Sequence, residues 1–281
     1  MHVEDPRFPP LLTGYGVKAP MQPFVAACQG AMSGTYGAAD VIWSRNTERI
    51  ELALVLEPDV PRKQALEIVP LFQLAVIEAL GSLMPPQTSV LLRWPDALLV
   101  NAGIAGHFRF SVAPSRDDEV PDWMVASAAI QLVPNDRGIE PGQRRDFTTL
   151  VEEGSDSRTR SDFLEVIASY TLSWINTWQD DGIAALADSW VGRIEGHQDP
   201  AIIATQQASK AGELTGRDAN SFSVSKASVL GLSDDLGLLV KFGEGEGEGE
   251  VLALPISSLI ETPSGIATDQ SGQVSWRHSN C

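Results

Sequence analysis

"RWPDALLVNAGIAGHFRFSV", residues 93–112, is the stretch that decides the fold. After a Trp-Pro-Asp it holds two apolar runs, 97–101 and 104–112. In the second, Phe108, Phe110 and Val112 alternate with Arg109 and Ser111, the period-2 pattern of a strand with one buried face. Residues 88–93 before it and "PDWMVASAAIQLV" (121–133) after it read the same way. Parallel strands need a long crossover between them, so strands this closely linked predict an antiparallel sheet.

Working outward, "ERIELALVL" (48–56) alternates Ile50, Leu52, Leu54 and Leu56 against Glu51, Ala53 and Val55, another half-buried strand. A helical pattern follows through Leu66, Val69, Phe72, Val76, Leu80 and Leu83, started by Asp59 and Pro61 and ended by Pro85-Pro86. Pro70 should kink it, because proline removes a backbone donor and crowds the preceding turn. Further on, Phe163, Ile167, Tyr170, Trp174 and Trp178 share one face of a second helix, with Asp162 and Glu165 at capping-box spacing. That aromatic stripe reads as core. "GIAALADSW" adds a shorter helix. "GYGVKA" (14–19) matches a loose Gly-x-Gly-x-x-Ala but follows no clear strand, and is expected to be a turn.

Residues 196–221 are polar and rich in small side chains, the composition of a linker. Beyond them, "FSVSKASVLGL", "LGLLVKF" and "EVLALPIS" predict three short strands of a small barrel. The Gly-Glu repeat at 243–249 reads as an anionic hairpin loop. The domain expectation is therefore 1–195, a linker at 196–221, and a small β domain at 222–281.

The net charge of −17 and the scattering of the 20 basic residues argue against nucleic acid as a partner. No run of about 18 apolar residues predicts a membrane span, and the N-terminus lacks the pattern of a signal peptide. Cys28 and Cys281 read as free thiols of a reduced, cytoplasmic protein. The four histidines are too scattered for a metal site.

Several segments, in order, resemble one family. "RWPDALLV" resembles the Lys-Trp-Pro-Asn-Asp strand-loop of biotin protein ligases, and the region around "IAGHF" resembles their next, lysine-bearing strand. "PDWMVASAAIQLVPN" is similar to the strand that carries their Gly-Ile-Gly-Ile-Asn signature. "FTTLVEEGSDSRTRSDF" and the two helices after it are similar to their Thr-Ser-Leu segment and helix pair. "VIWSRNTERIELALVL" sits where the family has a Trp closing a glycine-arginine loop. The resemblance to the biotin/lipoate protein ligases spans about residues 8–195, and 222–260 more loosely. It implies an α+β fold: a mixed, mainly antiparallel sheet with flanking helices, plus a small SH3-like β-barrel at the C-terminus.

The resemblance also implies a chemistry. A carboxylic acid such as biotin or lipoate would attack the α-phosphate of ATP, with Mg²⁺, and the acyl-adenylate would pass to a lysine of an acceptor protein domain. Bringing two anions together needs cations at the site. Here the family's lysine position falls on Ile104, and "GTYGAADVIW" (34–43) offers Tyr36, Ala38 and Asp40 in place of loop arginines. Arg45, Arg93 and His107 are the candidate catalytic substitutes, His107 as a proton carrier, with Arg109 a weaker one expected on the face opposite Phe108 and Phe110. Trp43, Arg45, Arg93, Trp94, Pro95, Asp96, Gly106 and His107 form the candidate ligand-binding set. Trp94-Pro95 also fits the plain cap of an edge strand. Standard biotin or lipoate ligation is expected to be impaired or lost. The alternative is a non-catalytic module on the ligase fold that binds a small ligand or an acceptor protein; a homodimer is a further expectation.

Overall fold

The computed structural model describes residues 4–134, 146–197, 199–206, 222–243 and 249–263. Most of the Gly-Glu repeat, much of the expected linker, His2, His278 and Cys281 lie outside them. One sheet dominates, with β1 (Thr13–Val17), β2 (Asp40–Ser44), β3 (Arg49–Leu56), β4 (Val90–Arg93), β5 (Ala97–Val100), β6 (Gly103–Val112) and β7 (Met124–Gln131) in the order β1-β2-β3-β7-β6-β5-β4. From β2 to β4 every pairing is antiparallel, and β1 joins in parallel at one edge. The glycines of "GYGV" thus lie in a strand rather than a turn. A Cβ at Gly14 would strike the Phe8 ring, and one at Gly16 would strike Trp43 and Arg45, so this edge strand stays bare to let those side chains cross it.

One face of the sheet is covered by α3 (Ile68–Leu83), α4 (Arg160–Asp181) and α5 (Ala184–Val191). Phe108 and Phe110 of β6 meet Phe72 of α3 edge-on, at ring separations of 6.3 and 6.2 Å. The expected single kinked helix is two: α2 (Arg62–Ala65) stops, and α3 starts two residues before Pro70. Placed in the first turn, Pro70 forfeits no intrahelical bond. The segment Arg62–Leu83 has the length and apolar content of a membrane span, but it is largely buried as the core helix of this layer. On α4 the capping box is Thr159 with Asp162, not Asp162 with Glu165, because the helix begins at Arg160. The aromatic stripe is core, and its polar edges are satisfied. Trp174 donates to Glu78, Trp178 to Glu67, and buried Trp190 of α5 to Gln73.

The other face is half covered by α1 (Pro23–Ser33). Its Phe24, Val25, Ala27 and Cys28 pack on Ile42, Ala53, Val55 and Val125. The C-terminal unit is a second antiparallel sheet, β11-β10-β9-β8, built from β8 (Ala201–Gln206), β9 (Phe222–Leu232), β10 (Gly237–Phe242) and β11 (Val251–Pro255). β8 falls inside the span expected to be linker. Buried Ile203, Val229, Leu238 and Val240 join the same core as α3–α5. The chain then returns as β12 (Ile260–Glu261), which pairs in parallel with Phe110 and Ser111 of β6.

Candidate functional site

Cross-strand partners share a face, so the register defines a row. Arg93 pairs with Ala97, Ala97 with His107, His107 with Ala129, and Ala129 with Glu51. Because Phe108, Ala128, Leu52 and Leu98 fill the helix-side core, this row must project from the opposite face. It places a cation, a histidine and a carboxylate across the sheet with alanines between them. At two strand spacings, neighbouring polar groups stand roughly 10 Å apart at the backbone. Ile104, the position the resemblance gives to the family's lysine, lies on this same face, since Ala105 turns into the core and a register shift at Leu98/Leu99 separates the two.

The polar groups of this face are already matched to one another. Arg93 makes a bidentate pair with Glu195, at 2.5 and 2.9 Å, which raises its pKa above the ordinary guanidinium value. Arg49 donates to Gln131 at 3.1 Å and lies 3.3 Å from Glu51. Arg109, one step along from His107, makes a bidentate pair with Glu261 at 2.7 and 2.8 Å, and its guanidinium lies 4.1 Å from the Phe24 ring centre. Ser111 donates to the Glu261 carbonyl. His107 Nδ1 stands 3.7 Å from Asp96 Oδ2, a distance for attraction rather than a formed hydrogen bond. On the inner face of α1, burial pushes the Cys28 thiol up to about 12, so it stays protonated.

The sequence candidates divide accordingly. Arg93, Asp96 and His107 come together on the polar face. Trp94 does not join them: it is 5% exposed and sits in the helix-side core, leaving the exposed part of the turn to Pro95 and Asp96. Gly106 has a structural reason to be glycine. A Cβ there would come 2.5 Å from the Ala129 carbonyl oxygen, backbone that cannot step aside. Trp43 also faces the helix-side core. Arg45 leaves the sheet at the end of β2, where it pairs with Asp5 at 2.6 and 2.9 Å. Only residues 45–48 connect β2 to β3, a tight link that follows Trp43, the residue the resemblance puts at the close of the glycine-arginine loop. Residues 34–39, where arginines were sought, form the exit of α1, closed by Gly34 in the left-handed conformation.

Glu51, Arg49 and Gln131 escaped the sequence reading, although strand alternation marks Glu51 as a polar position on a mostly apolar strand. Away from this face, an open groove of about 500 Å³ is lined by Glu67, Asp117, Asp118 and Asp234 against one lysine, Lys63, and would repel an organic acid.

This architecture has known counterparts. A structure of a biotin protein ligase-like protein of unknown function from Silicibacter sp. TM1040 is similar at 28% identity and a TM-score of 0.72, covering 91% of this chain and 99% of that one. The Aquifex aeolicus biotin protein ligase shares the fold at 13% identity and a TM-score of 0.60, over 86% of this chain and 96% of that one. The same enzyme in complex with biotin and ATP matches at 14% identity and 0.59, over 85% and 97%. Among curated proteins no sequence matches the chain. The model of the biotin/lipoate A/B protein ligase family fits residues 8–192, two thirds of the length, with strands β1–β7 of the main sheet and helices α1–α5. With sheet order, helix layer and family match in agreement, the chain belongs to the biotin/lipoate A/B protein ligase family.

Proposed function

We propose that this protein binds a small carboxylic acid of the biotin or lipoate kind on the α1-side face of its main sheet, without activating it as an adenylate. The observation that carries this reading is the pairing of the cations. Arg93, Arg49 and Arg109 each meet a carboxylate of the chain itself. Adenylation gathers a carboxylate and a triphosphate at one point and needs positive charge in excess. A face whose arginines are neutralised one by one suits a ligand with a single charge or none. Ala97 and Ala129 provide a low apolar floor between Arg93, His107 and Glu51, on which an acyl chain can lie. The solved Aquifex complex with biotin and ATP supports the ligand class, and the lack of any Lys or Arg between Ala19 and Ser44, the span in which the resemblance places the arginine loop, supports the loss of the nucleotide. A free, buried Cys28 suits a reducing cytoplasmic setting.

Isothermal titration with biotin, lipoate, octanoate and ATP, singly and in acid-plus-ATP pairs, with pyrophosphate assayed, tests this. Binding of one acid without pyrophosphate, lost in His107→Ala, is the expected result. Pyrophosphate release would overturn it and make the protein a ligase; silence from every acid would leave only the fold.

A second reading rests on the His107–Asp96 pair. Passing an acyl group from an already activated donor to a lysine of an acceptor domain needs a base at the acceptor amine and no phosphate cations. Transfer of octanoate from a thioester to an acceptor domain, abolished by His107→Ala, would favour it over plain binding.

A further inference from the structure

A different pair of arginines lacks one-to-one compensation. Arg45, at the end of β2, and Arg160, the first residue of α4, place their guanidinium carbons 4.8 and 5.0 Å from the Trp43 ring. They share one carboxylate, Asp5 of the N-terminal segment, and Arg45 takes both of its oxygens. Arg160 is only 4% exposed. Among the described residues its Nη1 makes a single long contact, 3.4 Å, with the Asn46 carbonyl, and its buried Nε has no partner. A buried donor of a charged group left unmet costs more than an ordinary missing hydrogen bond. Asp162, the acid nearest in sequence, is committed to the capping box of α4 with Thr159.

The strand beside Trp43 and Arg45 is kept bare so that both side chains can cross it. Gly16 of β1 is the strand position beside Arg45 and Trp43, and a Cβ there would come 2.7 Å from each. Asp5 itself is 54% exposed on its side chain, and its neighbourhood is tied down by few contacts, Ser161 Oγ to the Glu4 carbonyl and the Arg7 amide to Glu165. The groups that meet here are two guanidiniums and the amino end of a 22-residue helix, all of which favour negative charge. Asp5 supplies one unit of it to the guanidiniums, and the Asp162 carboxylate already serves the helix end through the capping box. Burial lowers the Arg160 pKa; the Asp5 carboxylate opposes that shift and the neighbouring Arg45 adds to it.

We infer that Arg45, Arg160 and the start of α4 form a binding site for a phosphoryl group, such as inorganic phosphate or a phosphomonoester, and that Asp5 occupies it in the absence of ligand. A phosphate dianion matches two guanidiniums where one carboxylate does not. It also offers oxygen acceptors beyond the two that Arg45 already engages, one of which would satisfy Arg160. Binding requires Asp5 to leave, so the N-terminal segment acts as an internal competitor. The site stands apart from the acid-binding face, for Trp43 points into the helix-side core and β2 lies three strands from β6.

The test is calorimetric titration of the full chain with inorganic phosphate, and separately with acetate, in phosphate-free buffer. Asp5→Asn should bind phosphate at least about tenfold tighter than the unaltered protein, and phosphate should bind more tightly than acetate. Adding Arg160→Gln to Asp5→Asn should abolish the gain. Because buried Arg160 also supports packing, Arg45→Gln, at a half-exposed side chain, serves as the second variant and should have the same effect. His107→Ala should leave phosphate binding unchanged, which separates this site from the acid-binding face. Absence of phosphate binding in Asp5→Asn, equal binding of acetate, or binding that survives both arginine substitutions would overturn the inference.

Discussion

His107 and Phe108 are neighbours in β6 and belong to opposite faces of one sheet. Phe108 is 2% exposed against Phe72 and Phe110, in a layer where three helices close over the strands. His107 stands in a row of polar groups that α1 covers only in part. The first face holds the molecule together, and its residues are chosen for volume. The second is built from charges that cancel in pairs, so its residues can be changed with small cost to folding and, on the proposed function, with large cost to binding. One residue of register thus separates a side chain that packs the core from one that faces the paired charges.

The sharpest way to break this comparison is to truncate both neighbours. Phe108→Ala should lose about 3–5 kcal/mol through lost burial and a cavity, and lower the melting temperature by roughly 10 °C. His107→Ala should stay within about 0.5 kcal/mol of the parent while acid binding disappears. Thermal or urea unfolding of the two variants measures the difference. Equal destabilisation would mean that His107 is part of the core and would remove it from the site.

The helix-side face was largely readable from the sequence, because burial writes itself into periodicity. The alternation of Ile50–Leu56 and Phe108–Val112 and the aromatic stripe of α4 each name their buried side without knowledge of a partner. The polar face was legible only in fragments. Alternation turns Arg109, Ser111 and Glu51 away from the core, but it does not say which of them meet. That depends on register, which a shift at Leu98/Leu99 and the close approach at Gly106 decide. The carboxylates that neutralise Arg93 and Arg109 arrive from 102 and 152 residues along the chain, beyond any local pattern. Trp94 continues the alternation of Val90 and Leu92 into the helix-side core, and only the turn after it, Pro95 and Asp96, lacks a period to fix its face. β1 was missed because glycines weaken the signal of a strand, even though they are what the crossing Phe8, Trp43 and Arg45 require.

A smaller effect sharpens the account of the charge pairs. Arg109 and Glu261 keep 28% and 40% of their side chains exposed, so solvent discounts their attraction. Arg109→Met alone should cost about 1 kcal/mol, since it strands Glu261 and removes the cation above Phe24. Arg109→Met with Glu261→Gln should recover part of that loss, giving a coupling measurable in a double-mutant cycle. A coupling near zero would show that β12 is held by its backbone pairing to β6 alone, and that the face does not depend on matched charge.

The smallest effect is in the pH dependence contributed by Asp5. The hydrogen bonds from Arg45 hold its carboxyl below the usual carboxylate range. A depressed folded-state pKa means that the unfolded chain binds the proton more readily. The stabilisation is therefore complete above the unfolded-state pKa, near 4, and is lost as the pH falls through the lower folded-state value. Since the pair is exposed, it is worth less than about 1 kcal/mol. Asp5→Asn should consequently match the parent's melting temperature at the acid end and fall slightly below it at neutral pH, a difference that differential scanning calorimetry across pH 2–7 resolves. Phosphate should reverse that order at neutral pH by stabilising the variant more than the parent, because in the parent it must first displace Asp5. If the two proteins respond to phosphate alike, Asp5 is an ordinary surface contact, and the contrast between arginines compensated one by one and arginines sharing a single acid loses its functional meaning.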